Sequence, residues 1–357
     1  MKVISDGWIY KFQKWGGVNT YFDRLMHYTS DECDWTVTLD EPVEGLSFSK
    51  SNPQILYPFR SGLNRKLDFH LNRRFWRKLE KDTDILHPTY YGWASCTDAS
   101  KLKNPLVHTL HDCIHERFPN HQEQDPFTVP AKKDAIEKAD LLICVSQNTA
   151  DDIDFFYPGH GDKIRVVLSG SDFCKPDQQQ APSLDYFSFV GTRHDYKNFG
   201  AVVEAVKICV SEGHKPLVKV AGSSPSDQEL AMLETKGISS CFEWPGWMKE
   251  EDLSSFYYNS IALLFPSLYE GFGLPALDVM AAGSTVIAHD GSSLPEVTGK
   301  GGLLVDCTKP NQVAEAMLQL SEQKFRNAVL ISSQKQAQQL VWEQTATNTK
   351  NIYSSLI

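Results

Sequence analysis

The sequence predicts an α/β protein made of two doubly wound domains. Short apolar runs alternate with amphipathic segments along the chain, which is typical of βαβ units and a mostly parallel sheet. At 357 residues the chain is too long for one ordinary hydrophobic core. A polar, turn-rich segment, Ser169–Ser183, interrupts the alternation and predicts a linker. We therefore expect domains at 1–172 and 173–342, a C-terminal helix at about 343–357 that packs back on the first domain, and a ligand cleft between them.

The first half contains seven apolar runs that predict strands and three amphipathic segments that predict helices. The strands are Lys2–Ser5, Thr36–Leu39, Ile55–Tyr57, Ile85–His87, Leu106–Leu110, Leu141–Val145 and Ile164–Val167, and the helices are Val18–Tyr28, Asn64–Leu79 and Pro130–Lys138.

The second half repeats the alternation. Its predicted strands are Tyr186–Val190, Leu217–Ala221, Ile261–Phe265, Thr285–Ala288 and Gly302–Val305. Its predicted helices are Ala201–Ser211, Gln228–Lys236, one starting at Pro275, Pro310–Leu340 and Trp342–Ser355.

Composition excludes several classes of protein. With 41% hydrophobic and 22% charged residues, the chain is expected to be globular. A formal charge of −10 argues against general nucleic-acid binding. The N-terminus lacks a signal-peptide pattern and no apolar run reaches the length of a membrane span. The eight cysteines are scattered, which favours reduced thiols and a cytoplasmic protein.

Two carboxylates mark the stretch SLYEGFGLPALDVMAAG, Ser267–Gly283. Glu270 is expected on the loop after a buried strand, and Gly271 and Gly273 let backbone amides approach a ligand. Pro275 suits the first turn of a helix, whose free amides attract phosphate or sugar oxygens. We expect Asp278 in that first turn, near enough to hold a sugar diol. The alternative is an ordinary strand–loop–helix connection with solvated carboxylates.

This stretch and its continuation, PSLYEGFGLPALDVMAAGSTVIAHDGSSLPEVTG, resemble the donor-sugar motif of the retaining glycosyltransferases of family 4. The resemblance implies the GT-B fold, in which two Rossmann-like doubly wound domains face each other across a cleft. It also implies that Glu270, Gly271, Phe272 and Gly273 bind the donor sugar, that Gly273 and Leu274 contact the diphosphate, and that Asp278 holds the ribose. The family pattern is Glu-x7-Glu, so Asp278 is a departure.

Two cations follow the first strand of the second half. Arg193 and Lys197 stand four residues apart on a loop that enters a helix, where they could neutralise a diphosphate. A solvated basic turn is the alternative. The stretch resembles the VG…RKN segment of the family, which implies that Arg193 and Lys197 grip the donor diphosphate. Tyr196 occupies the place of a second Arg in many members.

The first half carries two further candidates. Gly16 and Gly17 open an amphipathic helix and resemble the Gly-Gly loop that faces the donor phosphates, although a tight packed turn is the alternative. His111 follows a strand and resembles the His of a T-x-H-D segment that reaches the donor sugar. His108 and His115 are close in sequence, but one stretch through a strand end need not converge on a metal. We expect no metal site and a structural role for His108.

Three features complete the site predictions. Gly222, Trp247 and Met248 lie on loops that resemble those contacting the nucleoside. Asp152 and Asp154 form a DxD pattern, which we interpret as a solvated helix face rather than a metal motif. The basic segment 60–79 repeats apolar residues every four positions. It has two open interpretations: a core-facing helix with a charged outer face, or a peripheral contact with the inner membrane face or a lipid-linked acceptor.

Together these features predict a retaining, metal-independent hexosyltransferase of the cytoplasm, with Glu270 and His111 as catalytic residues and no cofactor besides a nucleotide-sugar co-substrate. UDP-glucose or another UDP-hexose is the expected donor, and a saccharide or lipid-linked acceptor in cell-surface or exopolysaccharide assembly is the expected partner. Two alternatives stay open. One is a nucleotide-sugar 2-epimerase, and the other is a non-catalytic nucleotide-sugar-binding partner of a polysaccharide assembly complex.

Overall fold

The computed structural model describes residues 1–13, 16–39, 41–43, 48, 50–57, 78–91, 103–120, 126–176 and 182–357. Contacts between residues divide the chain into two compact units. The N-terminal unit comprises residues 1–119, 124–169 and 342–357. The C-terminal unit consists mainly of residues 170–341. The chain therefore leaves the N-terminal unit near residue 170 and returns to it for its last helix.

The N-terminal unit alternates strands and helices. In chain order its elements are β1 (Lys2–Asp6), α1 (Trp8–Phe12), α2 (Gly17–Tyr28), β2 (Asp34–Thr38), β3 (Gln54–Leu56), β4 (Ile85–Leu86), β5 (Val107–Leu110), α3 (Ile114–Arg117), α4 (Thr128–Lys138), β6 (Leu141–Cys144), α5 (Gln147–Phe156) and β7 (Ile164–Val166).

The strands of this unit are parallel and run in the orders β3-β2-β1-β4 and β5-β6-β7. An isolated parallel bridge, Leu86 to Leu106, connects the two sets. Every residue of β5 and β6 is buried. Burial on both faces explains why β6, Leu-Leu-Ile-Cys, is a continuous apolar run and not an alternating one.

The C-terminal unit continues the alternation. Its elements are β8 (Phe187–Val190), α6 (Phe199–Ser211), β9 (Val218–Ala221), α7 (Asp227–Thr235), β10 (Phe242–Gly246), α8 (Glu250–Tyr258), β11 (Leu263–Phe265), α9 (Leu274–Ala281), β12 (Val286–His289), α10 (Leu294–Thr298), β13 (Leu303–Val305), α11 (Pro310–Ser321) and α12 (Gln323–Ala337). The last helix of the chain, α13 (Trp342–Ser354), packs against α2 in the N-terminal unit.

The six strands of the C-terminal unit form one parallel sheet in the order β10-β9-β8-β11-β12-β13. The chain starts in the middle at β8, builds outward to β10, and then returns to β11 on the other side of β8. This is the doubly wound arrangement, and its topological switch point lies between β8 and β11. Ligands of such sheets bind at the carboxyl ends of the strands beside the switch point.

Most predicted strands agree with the structure within one or two residues, the usual uncertainty of element ends. The strand Phe242–Gly246 and the helix Glu250–Tyr258 were not predicted. Only Phe242 of that edge strand is buried, so it offers no apolar run. The single predicted helix Pro310–Leu340 is wrong, because extended backbone at Glu322 separates α11 from α12. The predicted helix Asn64–Leu79 lies outside the described residues apart from 78 and 79.

No helix within the described ranges is long and apolar enough to cross a membrane.

Candidate functional site

The switch point brings together two residues that are 73 positions apart in the sequence. Lys197 ends a short 3₁₀ turn after β8, and Glu270 lies on the loop after β11. Lys197 Nζ lies 2.6 Å from Glu270 Oε1, and the two side chains are 22% and 12% exposed. The backbone N–H of Leu268 donates to the carbonyl of Tyr196 at 2.8 Å, which joins the two loops directly. A cation and a carboxylate thus stand at the edge where a ligand of this fold binds.

Aromatic rings lie beside the Lys197 ammonium. Its Nζ is 5.0 Å from the centroid of the Tyr196 ring and 5.8 Å from that of Phe265. Ring faces attract a cation through their quadrupole and add no competing charge. The ammonium therefore lies between these rings and the Glu270 carboxylate, where it could meet an anionic ligand.

The turn after Glu270 requires glycine at Gly273. This residue has φ +98°, in the left-handed region, and it caps the N-terminus of α9. A Cβ at this position would lie 2.7 Å from Leu294 Cδ2, so a larger residue would displace the Leu294 side chain. Gly271 and Phe272 are buried in the same turn. The amides at Gly273 and Leu274 therefore open a helix beside the Lys197–Glu270 pair, as the sequence predicts.

Asp278 lies further along α9 than expected. The helix begins at Leu274 and contains no acidic residue in its first turn, so the prediction that Asp278 is in that turn is wrong. Its Oδ1 accepts a hydrogen bond from the Ser171 hydroxyl at 2.7 Å. The carboxylate is half-buried and holds the segment that enters this unit. A role on the ribose stays a prediction.

Arg193 is engaged elsewhere in the C-terminal unit. Its Nε lies 2.6 Å from Glu229 Oε1, and its Nη1 and Nη2 donate to the carbonyls of Ser223 and Ser224 at 2.9 and 3.0 Å. The guanidinium also lies 5.1 Å from the centroid of the Trp244 ring, and the side chain is 4% exposed. These contacts order the loop after β9, and the role of Arg193 on the diphosphate stays a prediction.

Glu229 is the salt-bridge partner that holds the Arg193 side chain against this loop. It forms a capping box with Ser226 at the start of α7. The hydrogen bond from Arg193, together with those from Ser226, holds the pKa of the Glu229 carboxyl at about 2. The carboxylate is therefore charged at neutral pH, and the pair links the helix to the end of β8.

The residues predicted to contact a nucleoside lie at the ends of β9 and β10. The backbone N–H of Gly222 donates to the carbonyl of Gly246 at 3.0 Å and joins these two ends. Gly222 has φ +137°, and a Cβ there would lie 3.0 Å from the Gly191 carbonyl oxygen. Trp247 follows directly and is 77% exposed, while Met248 is half-buried. The structure thus presents a large aromatic face at the same sheet edge as Lys197.

The predicted residues of the N-terminal unit lie at strand and helix ends. Gly16 is the N-cap of α2, and a Cβ there would meet the Gln13 side chain at 2.5 Å. Gly17 is the first residue of that helix. His111 follows β5 and stacks edge-on against Tyr21 and Phe22, with ring centroids at 5.2 and 6.2 Å. Its backbone N–H donates to the Tyr91 hydroxyl at 3.4 Å.

Burial keeps the His111 imidazole neutral. It lowers the pKa of His111 to about 4; nearby Asp112 opposes this shift and Lys132 adds to it. His111 Nε2 is buried and has no hydrogen-bond partner among the described residues. Burial also lowers the pKa of His108, inside β5, to about 3. A neutral imidazole at residue 111 can donate or accept a hydrogen bond but carries no charge at pH 7.

A buried lysine that the sequence analysis did not identify supports this loop. Lys132 on α4 is fully buried, and its Nζ donates to the Asp112 carbonyl and to Glu116 Oε2, both at 2.9 Å. The Tyr157 hydroxyl donates to the other Glu116 oxygen at 2.6 Å. Lys132 stands beside Lys133 in a charged stretch of sequence, and no local signal distinguishes the buried lysine from the exposed one.

The DxD pattern is a structural feature. The interpretation of Asp152 as part of a solvated face is wrong, because this residue is 2% exposed and forms a salt bridge with Arg117. Asp154 is exposed. In the part of the chain that the structure describes, no three His, Cys, Asp or Glu side chains converge as metal ligands.

The parallel six-stranded sheet, with a Lys–Glu pair at its switch point, defines the C-terminal unit as a doubly wound ligand-binding domain. The family described as glycosyl transferases group 1 matches residues 174–337, and glycosyltransferase family 4 matches residues 15–173. The two matches together cover most of the chain. The protein therefore belongs to the family-4 type of GT-B glycosyltransferases and is a hexosyltransferase enzyme.

Individual relatives agree with this assignment. The O-antigen chain mannosyltransferase B of Escherichia coli is 26% identical over 87% of this chain and 83% of its own length. A D-inositol 3-phosphate glycosyltransferase of Corynebacterium urealyticum is 27% identical over 79% of this chain and 74% of its own.

Solved structures show the fold. Sucrose-phosphate synthase from Thermosynechococcus elongatus has a TM-score of 0.77 at 18% identity and covers 99% of this chain and 98% of its own. Anabaena HepE, solved with UDP and glucose, has a TM-score of 0.77 at 15% identity and full coverage of both chains. The fold prediction of two Rossmann-like domains is confirmed.

Proposed function

We propose that this glycosyltransferase moves a hexose from a nucleoside-diphosphate sugar to a saccharide or lipid-linked acceptor in cell-surface or exopolysaccharide assembly, with retention of anomeric configuration and without a metal. The observation that carries the proposal is the Lys197–Glu270 pair at the switch point of the C-terminal sheet, directly before the N-terminus of α9.

Charge stabilisation explains why this pair suits the reaction. When the glycosidic bond of the donor breaks, negative charge grows on the leaving diphosphate. Lys197 and the amides at Gly273 and Leu274 can meet that charge, since helix N-termini attract phosphate oxygens. The Glu270 carboxylate, 2.6 Å from Lys197, would accept hydrogen bonds from hexose hydroxyls beside the diphosphate. Gly271 and Phe272 would border the sugar.

The rest of the donor extends along the same sheet edge in this proposal. Asp278 would hold the ribose, and Gly222, Trp247 and Met248 would contact the base. From the N-terminal unit, the neutral His111 would hydrogen-bond the hexose, and Gly16 and Gly17 would face the phosphates. Since no nucleophile has been identified for a double displacement, we favour a front-face route in which the leaving phosphate assists the incoming acceptor.

UDP-glucose is the first donor to test, because the HepE structure with this fold contains UDP and glucose. Mannose is the second candidate sugar, since two relatives are named as mannosyltransferases. We propose a cytoplasmic enzyme. The basic segment 60–79, whose membrane contact was one of two open interpretations, lies outside the described residues apart from 78 and 79.

A thermal-shift panel of UDP-, GDP- and ADP-sugars tests the donor, followed by product analysis with the donor that binds. A ligand at a hundred times its Kd stabilises the folded state by about 2.7 kcal/mol. We expect UDP-hexoses to raise the Tm and an added acceptor to give a glycosidic product. An epimerised free nucleotide-sugar would establish the epimerase instead. Binding without transfer to any acceptor and without hydrolysis would establish a non-catalytic binding protein.

A further inference from the structure

Two consecutive serines hold the backbone of the turn that carries Glu270. Ser292 and Ser293 lie between β12 and α10. The Glu270 N–H donates to Ser292 Oγ at 2.8 Å, and the same hydroxyl donates to the Glu270 carbonyl at 2.7 Å. Ser293 Oγ lies 2.9 Å from both the Glu270 and the Phe272 carbonyl oxygens. Both backbone polar groups of Glu270 are therefore bound by this serine pair.

The backbone of Ser292 is unusual for a residue with a side chain. Its φ is +57°, in the left-handed region that favours glycine. Residues held in that region are strained, and they persist where the surrounding contacts compensate. Here the compensation is visible, because the hydroxyl of Ser292 accepts hydrogen bonds from the Glu270 and Ser293 amides and donates one to the Glu270 carbonyl.

The next two residues complete the support. Ser293 is fully buried, so its hydroxyl has only protein groups to bond. Leu294 packs where a Cβ of Gly273 would be, at 2.7 Å from its Cδ2. Three consecutive residues, Ser292 to Leu294, thus contact both ends of the Glu270–Gly273 turn.

We propose that Ser292 and Ser293 are positioning residues for catalysis: they fix the backbone of Glu270 so that its carboxylate is oriented toward the donor hexose. The inference rests on the proposed function of Glu270. A fixed backbone leaves only side-chain torsions to be ordered when the donor binds, and a misplacement of about 1 Å can cost about a hundredfold in rate.

The test compares Ser292→Ala, Ser292→Gly and Ser293→Ala with Ser333→Ala. Ser333 is a matched control, since it is as buried as Ser293 and donates to the Ser284 carbonyl at 2.6 Å, away from the turn. We measure kcat for hexose transfer, the Kd for UDP, which lacks the hexose, and the Tm. Hydrogen exchange of the Glu270–Gly273 amides reports the turn directly.

We expect each of the three variants at Ser292 and Ser293 to lose about tenfold to a hundredfold in kcat while the Kd for UDP stays within about twofold. Ser292→Gly relieves the backbone strain yet lacks the hydroxyl, so it should lose kcat as well. Amide exchange in the turn should accelerate in these variants. Ser333→Ala should lower the Tm alone.

Unchanged kcat in the Ser292 and Ser293 variants of an enzyme that transfers hexose would overturn the inference. A loss of UDP affinity in parallel with kcat would also overturn it, because the serines would then support the whole site. If the unmodified enzyme transfers no hexose, the proposed function fails and the catalytic part of the inference fails with it. In that case amide exchange still decides whether the serines fix the turn.

Discussion

The Glu270 turn and the His111 loop follow strand ends of two similar sheets, yet they are built in opposite ways. The turn presents an ion pair that is partly exposed, and serine hydroxyls hold its backbone. The loop presents a neutral imidazole, and a fully buried lysine, Lys132, holds its backbone by bonding the Asp112 carbonyl.

The two regions therefore differ in where their charged side chains lie. At the turn the charges of Lys197 and Glu270 are at the ligand edge, where they can act on a donor. At the loop the side chains of Lys132 and Glu116 are buried, where their salt bridge stabilises the fold. Substitution of the charged residues should therefore affect activity at the turn and stability at the loop.

The largest expected effect is on stability at the loop. Lys132→Met leaves Glu116 buried without its cation and should destabilise the fold by about 3–5 kcal/mol. Lys133→Met is the matched control, because that neighbour is 64% exposed and lies 3.9 Å from Glu137. Thermal and urea unfolding check the prediction, and Lys132→Met with Glu116→Gln should recover part of the loss. Equal stability of the two single variants would contradict this account.

The next effect is on activity at the turn. Glu270→Gln should lower kcat by about 10²–10³-fold, the size expected when a preorganised electrostatic group is lost. The Tm should fall less than in Lys132→Met, since the Lys197 side chain is 22% exposed whereas the Lys132 side chain is fully buried. Glu243→Gln is the control, because Glu243 pairs with Lys219 at 3.3 Å and is 56% exposed. A near-normal kcat in Glu270→Gln would show that the Glu270 carboxylate has no catalytic role.

Substitutions of Lys197 and Arg193, which lie on one loop, should have different effects: the first on UDP binding and the second on stability. Lys197→Met should weaken UDP binding by about tenfold to a hundredfold, the value of a hydrogen bond to a charged group. Arg193→Met should leave the Kd for UDP near normal and lower the Tm, because Glu229 and the loop after β9 lose their partner. Calorimetric titration and thermal unfolding measure both quantities. A loss of UDP affinity in Arg193→Met with an unchanged Tm would instead support the predicted contact of Arg193 with the diphosphate.

Acid should destabilise the N-terminal unit through its buried histidines. The pKa of His108 is about 3 in the folded state, against about 6.5 when unfolded. Below pH 6.5 only the unfolded state binds this proton, so the free energy of unfolding falls by about 1.4 kcal/mol per pH unit. His108→Gln should therefore reduce the loss between pH 7 and pH 5 by about 2 kcal/mol. Urea unfolding at both pH values checks this, and parallel pH curves for the two proteins would refute it.

The smallest effect distinguishes two roles of Asp278. Ser171→Ala removes two hydrogen bonds, one donated to Asp278 and one accepted from the Phe173 N–H, and should cost about 1–2 kcal/mol of stability without changing UDP affinity. Asp278→Asn should weaken UDP binding as well if the carboxylate holds the ribose. Identical UDP affinities for both variants and the unmodified enzyme would make Asp278 an anchor for the entering chain alone.

Much of the fold follows from local pattern. Buried parallel strands such as Leu141–Cys144 are continuous apolar runs, and helices such as Gly17–Tyr28 show a clear amphipathic period. The edge strand Phe242–Gly246 has neither a continuous apolar run nor an amphipathic period, because only Phe242 in it is buried. The break at Glu322 was missed, because polar residues flank it on both sides and no glycine or proline marks it.

The candidate site was predictable only in part. Glu270 and Lys197 were identified separately, and the structure brings them together at the switch point. Arg193 is also a cation and lies four residues before Lys197, but it forms a salt bridge with Glu229, which is 36 residues away. The support from Lys132 and from Ser292 and Ser293 was not identified at all, because nothing beside them in the chain indicates their partners.

The sequence by itself determined the order of strands and helices, the glycine at residue 273 and the chemical types of the residues at the strand ends. These depend on neighbours along the chain, through period, turn geometry and backbone sterics. The tertiary structure decided which cation meets Glu270, which lysine is buried and which serines hold the turn. Those outcomes depend on distances between residues far apart in sequence, which only the packing of the sheet and its helices sets.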